Sequence, residues 1–389
     1  MEVKTASALT EKWQSFAFQA PEYSRKDRYT DILAQLVDID STDGAALVLR
    51  GNLPPFSEDH LHDEDIDILM KAVGDCQPSK ITSIDLSYNS LTDTSADYLA
   101  ECLKTPNSTL QTINLSYNDI ECAGAETLST ALQFNDSLVT LILDGCKIGH
   151  RGGISLASML QVNKSLRKLS LSATDLDTDS VIALATVLQG NQSLTSIDLS
   201  RPLLHSKLEE TTIHISRMLQ VNSTLRELHL SKHAMTDTGV EWLCRMLREN
   251  TTLTCLNISC NSLSRDGARH LSVLLQHNTP LSDLDISYNR IEDEGLVHIS
   301  NVLAKDNRKL TKLSVSFNSI RDEGVCALAG ALKTNTTLTQ VAIWGNNLGE
   351  PSCNAFRDLL ESGRLLPECV DVMHYKVDGI SYLARTDLK

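Results

Sequence analysis

Residues 110–120 read LQTINLSYNDI, an apolar ladder of the form LxxLxLxxNxL in which leucine and isoleucine replace one another. The ladder occurs ten times, and successive ladders begin 28 or 29 residues apart except for one step of 31 residues. The starting positions are Ile81, Leu110, Leu138, Leu166, Leu194, Leu225, Leu253, Leu281, Leu310 and Leu338. An irregular earlier unit is visible in Leu47, Leu49 and Asn52. Self-similarity at this period predicts a solenoid of about eleven repeats.

Each repeat has the pattern of a strand followed by a helix. Ile113 and Leu115 alternate with polar residues, which is the period of a strand with one buried face. Leu128 and Leu132 then follow at helical spacing. The asparagine at the ninth ladder position, Asn118 here, is expected to bind backbone groups of the adjacent repeat. Because strands stack more closely than helices, the fold class is predicted to be an α/β horseshoe, with parallel strands on its concave face and helices on its convex face.

The formal net charge of −15 bears on the kind of partner. Part of it is interpreted as structural, because acidic residues such as Asp322 and Glu323 precede the helices and complement the positive helix end. A negative chain is poorly suited to the phosphate backbone, so we expect protein partners and no nucleic acid.

Several classes of function are disfavoured by missing patterns. The sequence has neither a secretory signal nor the roughly 18 apolar residues of a membrane span, which predicts an intracellular protein without membrane contact. The ten scattered cysteines are predicted to be reduced. Asn-x-Ser/Thr triplets, as at Asn250 and Asn335, recur at one repeat position and are interpreted as turn residues. Without a phosphate-binding loop, metal-ligand spacing or a single activated serine, we expect no enzyme, cofactor, metal or small-molecule substrate.

The repeats imply three parts of the chain. Residues 44–362 are the predicted solenoid, and residues 1–43 are an aromatic lead-in with a capping helix. Trp13 and Phe16 in that lead-in either belong to the cap or form a short peptide that anchors onto a neighbouring protein. Residues 363–389 are predicted to form a hairpin around Asp378-Gly379, which either caps the last repeat or adds a strand to another protein's sheet.

The ladder, the helical second half and the repeat length resemble the ribonuclease-inhibitor-like class of leucine-rich repeats. The resemblance covers about Ile81 to Leu360. The tail, with Trp344-Gly345-Asn346 and Tyr382-Leu383-Ala384, is similar to the closing segment of one intracellular member of this class that has no known catalytic residue. The class includes enzyme inhibitors, activators of small GTPases, innate-immune sensors and components of ciliary axonemes. The resemblance therefore implies the fold and leaves the function open.

The middle of the array is irregular. The ninth-position asparagine is replaced in four consecutive repeats, by Cys146, Thr174, Pro202 and His233. A basic cluster occurs in the same region, and it consists of Arg201, His205, Lys207, Arg226, His229 and Lys232. We expect this strip to bind an acidic protein surface; the alternative interpretation is simple drift of the repeat.

Aromatic residues supply a second candidate strip for protein binding. Tyr88, Tyr117, Tyr288 and Phe317 lie at the eighth ladder position, and Trp344 replaces the usual serine at the seventh. Aromatic side chains are favoured anchors at interfaces. Trp344 is predicted to protrude from the concave face of the last repeat.

The sequence thus predicts a scaffold that holds other proteins, such as filament or axonemal components. Its predicted location is the cytoplasm, at the cytoskeleton or the ciliary axoneme, and the nucleus is the alternative. Rival functions are the regulation of a small GTPase and the inhibition of an enzyme by the concave face.

Overall fold

The computed structural model describes residues 45–53, 57, 60–75, 81–105, 108–204 and 209–386. The chain divides into two compact units, Met1–Asp198 and Leu199–Lys389. In the described part of the first unit, the strands are β1 (Ala45–Val48), β2 (Ile81–Asp85), β3 (Thr112–Asn114), β4 (Thr140–Ile142), β5 (Lys168–Ser170) and β6 (Ser196–Asp198). The helices between them are α1 (Asp63–Asp75), α2 (Asp93–Lys104), α3 (Cys122–Leu132), α4 (Gly149–Val162) and α5 (Thr178–Leu188).

The second unit continues the alternation. Its described helices are α6 (Glu210–Val221), α7 (Asp237–Leu247), α8 (Arg265–Gln276), α9 (Glu292–Lys305), α10 (Asp322–Leu332) and α11 (Glu350–Glu361). Its strands are β7 (Glu227–His229), β8 (Cys255–Asn257), β9 (Asp283–Asp285), β10 (Lys312–Ser314), β11 (Gln340–Ala342), β12 (Val372–Val377) and β13 (Ile380–Arg385). Among the helices that the structure describes, none is long and apolar enough to cross a membrane.

Within each unit the repeat strands pair in parallel and in chain order, β1 to β6 and β7 to β11. Fourth-position residues face one another in register, as Ile113 faces Leu141, and both are fully buried. Leu128 and Leu132 of α3 are buried as well, so the core lies between a layer of strands and a layer of helices. The predicted solenoid of strands and helices is confirmed.

The predicted asparagine ladder is confirmed at atomic detail by Asn118. Its Nδ2 donates to the carbonyl oxygens of Leu86 and Leu115, both at 2.9 Å. Its Oδ1 accepts the N–H groups of Asn89 and Leu91, at 3.1 and 3.2 Å. One buried amide therefore satisfies backbone groups of two adjacent repeats.

A second set of asparagines marks the turn between each helix and the next strand. The Nδ2 of Asn250 donates to the carbonyl of Leu219 at 2.7 Å, and that of Asn335 donates to the carbonyl of Leu303 at 2.8 Å. Both side chains are buried. The nitrogens that would carry sugars are engaged in the fold, which confirms these two asparagines as turn residues.

The acidic residues at the helix starts form hydrogen bonds to the helix of the next repeat. In the first turn of α7, Asp237 accepts hydrogen bonds from the backbone N–H groups of Ser264 and Gly267, at the start of α8. Asp322 of α10 does the same for Gly349 and Ser352 at the start of α11. The expectation that such carboxylates complement unpaired amides and the positive end of a helix holds here, and the helix concerned is that of the next repeat, whose N–H groups lie within reach and donate to them.

Glycine makes these contacts between repeats possible. A Cβ on Gly267 would lie 2.4 Å from Oδ1 of Asp237, and one on Gly349 would lie 2.4 Å from Oδ2 of Asp322. The same capping scheme holds Asp63 in the first unit. Burial alone would raise the pKa of Asp63, but hydrogen bonds from Ser95 and Thr92 outweigh that effect and lower it below its usual value.

The end of the second unit is closed by two charged residues. Arg364 takes the place of the next turn asparagine, and its guanidinium donates to the carbonyls of Leu332, at 2.7 Å, and Leu338, at 2.8 Å. Asp371 is buried and accepts the N–H groups of Ile343, at 2.8 Å, and Trp344, at 3.0 Å. Backbone groups that a further repeat would have bound are satisfied in this way.

A hairpin follows, at the position where the sequence predicts one. Strands β12 and β13 pair antiparallel with Val377 opposite Ile380, and Asp378 and Gly379 form the turn. Leu383 and Ser381 of the hairpin are buried. The other face of the hairpin is exposed and includes Met373, Tyr375, Val377, Ile380 and Tyr382.

Candidate protein-binding surface

The eighth ladder position builds a continuous row of side chains in the second unit. The row consists of Arg201, Lys232, Cys260, Tyr288, Phe317 and Gly345, and is called the rim row below. The five residues other than glycine have φ between 54° and 59°, in the left-handed region. Each of them donates its backbone N–H to the seventh-position carbonyl of the next repeat, at 2.8 to 3.2 Å. The repeated backbone geometry sets neighbouring members about 4.8 Å apart, the spacing of adjacent strands.

The aromatic end of the rim row is a stacked pair. The rings of Tyr288 and Phe317 are 4.4 Å apart at an angle of 10°, and the side chains are 54% and 38% exposed. Gly345 makes room for the stack, because a Cβ there would lie 2.4 Å from Cδ1 of Phe317. The pair presents a pre-ordered apolar surface to solvent, and ring pairs of this kind are common anchors at interfaces.

The cationic end of the rim row consists of Arg201 and Lys232. Both side chains are exposed, and within the described residues neither forms an ion pair. The structure thus brings two of the predicted basic residues into one line with two of the predicted aromatic residues. The alignment of these four residues could have been predicted from the sequence, because all four lie seven residues after the start of a ladder.

The other predicted basic residues are not part of the rim row. Arg226 lies at the second ladder position, where its carbonyl accepts the N–H of Cys255 at 2.9 Å, and its side chain is exposed. His229 lies on the strand face and is half-buried, and its electrostatic interaction with Asp283 acts to lower the pKa of that carboxyl. The charge around these two residues is mixed, since Glu227 lies between them in the chain.

The strand face of the second unit is in fact rich in acid. Burial raises the pKa of Cys255 to about 12, and the charges of Asp283 and Glu227 add to that effect. Burial likewise raises the pKa of Asp283, while Lys312 acts in the opposite direction. Positive potential is therefore a property of the cationic end of the rim row and not of the strand face as a whole.

Trp344 adjoins the aromatic end of the rim row. Its carbonyl accepts the N–H of Phe317 at 3.0 Å, and its own N–H donates to Asp371. The residue is half-buried. The remaining predicted site residues, Trp13, Phe16, His205 and Lys207, lie outside the described residues.

The replacements in the asparagine ladder are structural substitutes. Nε2 of His233 lies 2.7 Å from the carbonyl oxygen of Leu199, and the side chain is 3% exposed. Sγ of Cys146 lies 3.2 Å from the carbonyl oxygen of Leu115. Both residues therefore take over one contact of the missing asparagine, which favours repeat drift as the account of these positions.

Two further candidate features lie in the first unit. Tyr88 and Tyr117, which belong to the predicted aromatic strip, form an exposed stack at the eighth position, with ring centroids 4.6 Å apart. His150, Asp177 and Asp179 bring three potential ligand atoms within 4.8 Å of one another. Asp177 already accepts the N–H of Ser180 as the N-cap of α5, and its carboxylate lies 2.9 Å from Nδ1 of His150. A helix N-terminus carries positive charge, so this place is unfavourable for a cation.

The comparisons with known protein families and with curated proteins agree, since both find leucine-rich repeats. The family described as Leucine Rich repeat matches residues 77–100, 107–129, 134–157, 221–244, 249–272, 277–300 and 306–329. Leucine-rich repeat-containing protein 34 of Mus musculus is 42% identical over 185 residues, which cover 48% of this chain and 45% of that protein. The Homo sapiens protein of the same name is 45% identical over 185 residues, which cover 48% of this chain and 40% of that protein. The chain spans a little under half the length of these curated relatives.

Among solved structures, an internalin from Listeria monocytogenes is similar in fold, and the alignment covers 92% of this chain and 94% of the internalin chain. It is 15% identical, and the TM-score is 0.45. A similarity of this size is too weak to inform on function.

Proposed function

Because this chain is a leucine-rich repeat protein, we propose that it is a non-catalytic scaffold that holds an acidic segment of another protein along the rim row. Stacked repeats of this kind offer extended surfaces that suit protein partners. The observation that carries the proposal is the single line formed by two exposed cations and two stacked, exposed rings.

The geometry defines what the partner segment must contain. From Arg201 to Gly345 the rim row has five steps of about 4.8 Å, or roughly 24 Å. An extended chain rises about 3.3 Å per residue, so about seven residues span the row. Carboxylates are required at one end, opposite Arg201 and Lys232, and an apolar anchor is required at the other, on Tyr288 and Phe317.

The energetic contribution of the two ends is expected to differ. Truncation of a buried aromatic anchor typically costs 2 kcal/mol or more of binding free energy, which is about thirtyfold in Kd. Exposed charge pairs contribute less to affinity and more to the association rate, and their effect falls with added salt. The ring pair should therefore set the lifetime of the complex, and the cations should set its rate of formation.

The direct test uses two double variants of the full chain and a purified partner found by proximity labelling. Tyr288→Ser with Phe317→Ser should raise the dissociation rate about thirtyfold. Arg201→Glu with Lys232→Glu should lower the association rate and reverse its salt dependence, because added salt then screens a repulsion from the acidic partner. Arg248→Glu, at an exposed arginine that follows α7, is the matched control and should change neither rate. Unchanged binding in both double variants would exclude the rim row as the site.

The wider setting that we propose is a large intracellular assembly at the cytoskeleton, with the ciliary axoneme as the first choice. Support comes from the resemblance to repeat proteins that include axonemal components. Proximity labelling in ciliated cells should then return axonemal neighbours and show retention of the protein at high salt. A soluble pool enriched in one nuclear complex would overturn this setting. Acceleration of GTP hydrolysis at substoichiometric amounts would instead support the regulatory rival.

A further inference from the structure

The first unit carries an apolar surface that its own fold does not use. Phe134 is 82% exposed, and Val162 is 52% exposed. Both residues lie four positions before the start of a ladder, where a helix ends and the chain turns towards the next strand. Together with Val139 they line a depression of about 500 Å³.

Packing does not explain these side chains. The same repeat position is exposed throughout the described repeats, and elsewhere it is occupied by Gly190, Val221, Glu249, His277, Asp306 and Thr334. The fold thus accepts glycine or a polar residue there. Apolar residues at this position in two consecutive repeats expose hydrophobic area without stabilising the core. Such exposed area is typical of an interaction surface.

The edge of the depression is basic. Lys164 and Arg167 line it, together with one acidic residue, Asp136. Nη1 of Arg167 is fixed by a hydrogen bond to the carbonyl of Ser193 at 2.8 Å, so the guanidinium is held in place. Within the described residues the Lys164 side chain is exposed and forms no ion pair.

We propose that this depression is a second docking site, which binds a protein segment that inserts one large apolar side chain between Phe134 and Val162 and sets carboxylates against Lys164 and Arg167. Charge complementarity indicates the occupant, because the edge of the depression is positive while the chain as a whole carries a net charge of −15. The same net charge disfavours an anionic membrane as the occupant. The site is independent of the rim row, since it lies in the other unit and uses different residues.

The experiment is a selection of a random twelve-residue peptide library, displayed on phage, against the full chain. Enriched peptides should combine a leucine, phenylalanine or tryptophan with at least two acidic residues. Binding of a synthetic copy of the best peptide, measured by fluorescence anisotropy, should weaken about tenfold or more in Phe134→Ser and in Lys164→Glu. All altered side chains are exposed, so the thermal unfolding of each variant should match that of the parent chain.

Val221→Ser is the matched control. Val221 ends α6 as Val162 ends α4, within the same sequence Gln-Val-Asn, and is 58% exposed. This variant should bind the peptide as the parent chain does. Peptide binding that survives Phe134→Ser, or that is lost equally in Val221→Ser, would overturn the proposal, as would a selection without enriched acidic peptides. Phe134-dependent sedimentation with phosphatidylserine-containing vesicles would also overturn it, in favour of a membrane contact.

Discussion

The buried amide of Asn118 should be one of the most sensitive side chains in the first unit. Its side chain forms five hydrogen bonds to backbone groups of two repeats, and the residue is 5% exposed. In Asn118→Ala the three carbonyl oxygens keep a donor. Leu86 still accepts from Asn89 at 2.9 Å, Leu115 from the thiol of Cys146 at 3.2 Å, and Ser116 from the N–H of Tyr88 at 2.9 Å. The loss therefore falls on the two N–H groups of Asn89 and Leu91.

Each of these N–H groups is buried without a partner after the substitution. An unsatisfied buried donor costs about 1 to 3 kcal/mol, so the expected loss of stability in the first unit is about 4 kcal/mol. Solenoids do not always unfold in one step, so the measurement has to be local. Native-state hydrogen exchange across residues 110–120 should become about a thousandfold faster, because every 1.4 kcal/mol corresponds to a factor of ten.

Cys146 provides the comparison within the same ladder. Burial raises the pKa of its thiol to about 12, so at neutral pH it is a protonated, weak donor to Leu115 and a weak acceptor for backbone N–H groups of Asn118 and Ile120. Cys146→Ala should therefore cost only about 1 kcal/mol, and Cys146→Asn should stabilise the unit by a similar amount. If Asn118→Ala changes exchange by less than tenfold, or no more than Cys146→Ala does, the argument that the ladder amides hold the repeats together is refuted.

Four further outcomes test the caps and the charges. Gly267→Ala should destabilise the second unit by about 2 kcal/mol in urea denaturation, because the new methyl displaces the Asp237 carboxylate from the start of α8. Gly330→Ala, a helical glycine with nothing within 4 Å of the added Cβ, should instead stabilise it by about 0.5 to 1 kcal/mol. Arg364→Ala should speed hydrogen exchange in the last repeat more than elsewhere, since three backbone carbonyls lose their donor. Burial raises the pKa of Asp144, so this group removes stability as pH rises from its unfolded pKa through its folded pKa. Asp144→Asn should flatten that fall at pH values above the ordinary carboxyl pKa of 3.8, measured by thermal unfolding.

The sequence is most informative where one physical requirement repeats. Leucine at the ladder positions and the ninth-position asparagine recur because every repeat must bury the same strand face and satisfy the same backbone groups. The strands, the helices and the first asparagine ladder were predicted for that reason. The hydrogen bonds from Asp237 to the next helix were not predicted, because a periodic pattern does not indicate which of two neighbouring helices a carboxylate caps. The role of Arg364 was not predicted, because this arginine occurs once and takes over the hydrogen bonds that a turn asparagine makes in the other repeats.

The candidate surface was predicted in its parts and not in its arrangement. Basic and aromatic residues were both identified, and the aromatic residues were grouped by ladder position, but the basic residues were grouped by closeness in the chain. Grouping by ladder position instead joins Arg201 and Lys232 with Tyr288 and Phe317, and it separates them from Arg226. His233, which replaces the ninth-position asparagine, is buried because its ring nitrogen takes over the ladder contact with the carbonyl of Leu199.

The net charge of the chain does not by itself identify where a partner binds, because part of the acid has a structural role. The carboxylates of Asp63, Asp93, Glu209, Asp237, Asp293 and Asp322 each accept a backbone N–H from the start of the next repeat's helix. These carboxylates keep their charge, which the helix amides and the positive end of the helix stabilise locally. The exposed cations at the eighth position and beside Phe134 form no ion pair within the described residues, although Arg167 donates a hydrogen bond to the carbonyl of Ser193. Local charge therefore favours acidic partners even though the whole chain is itself acidic.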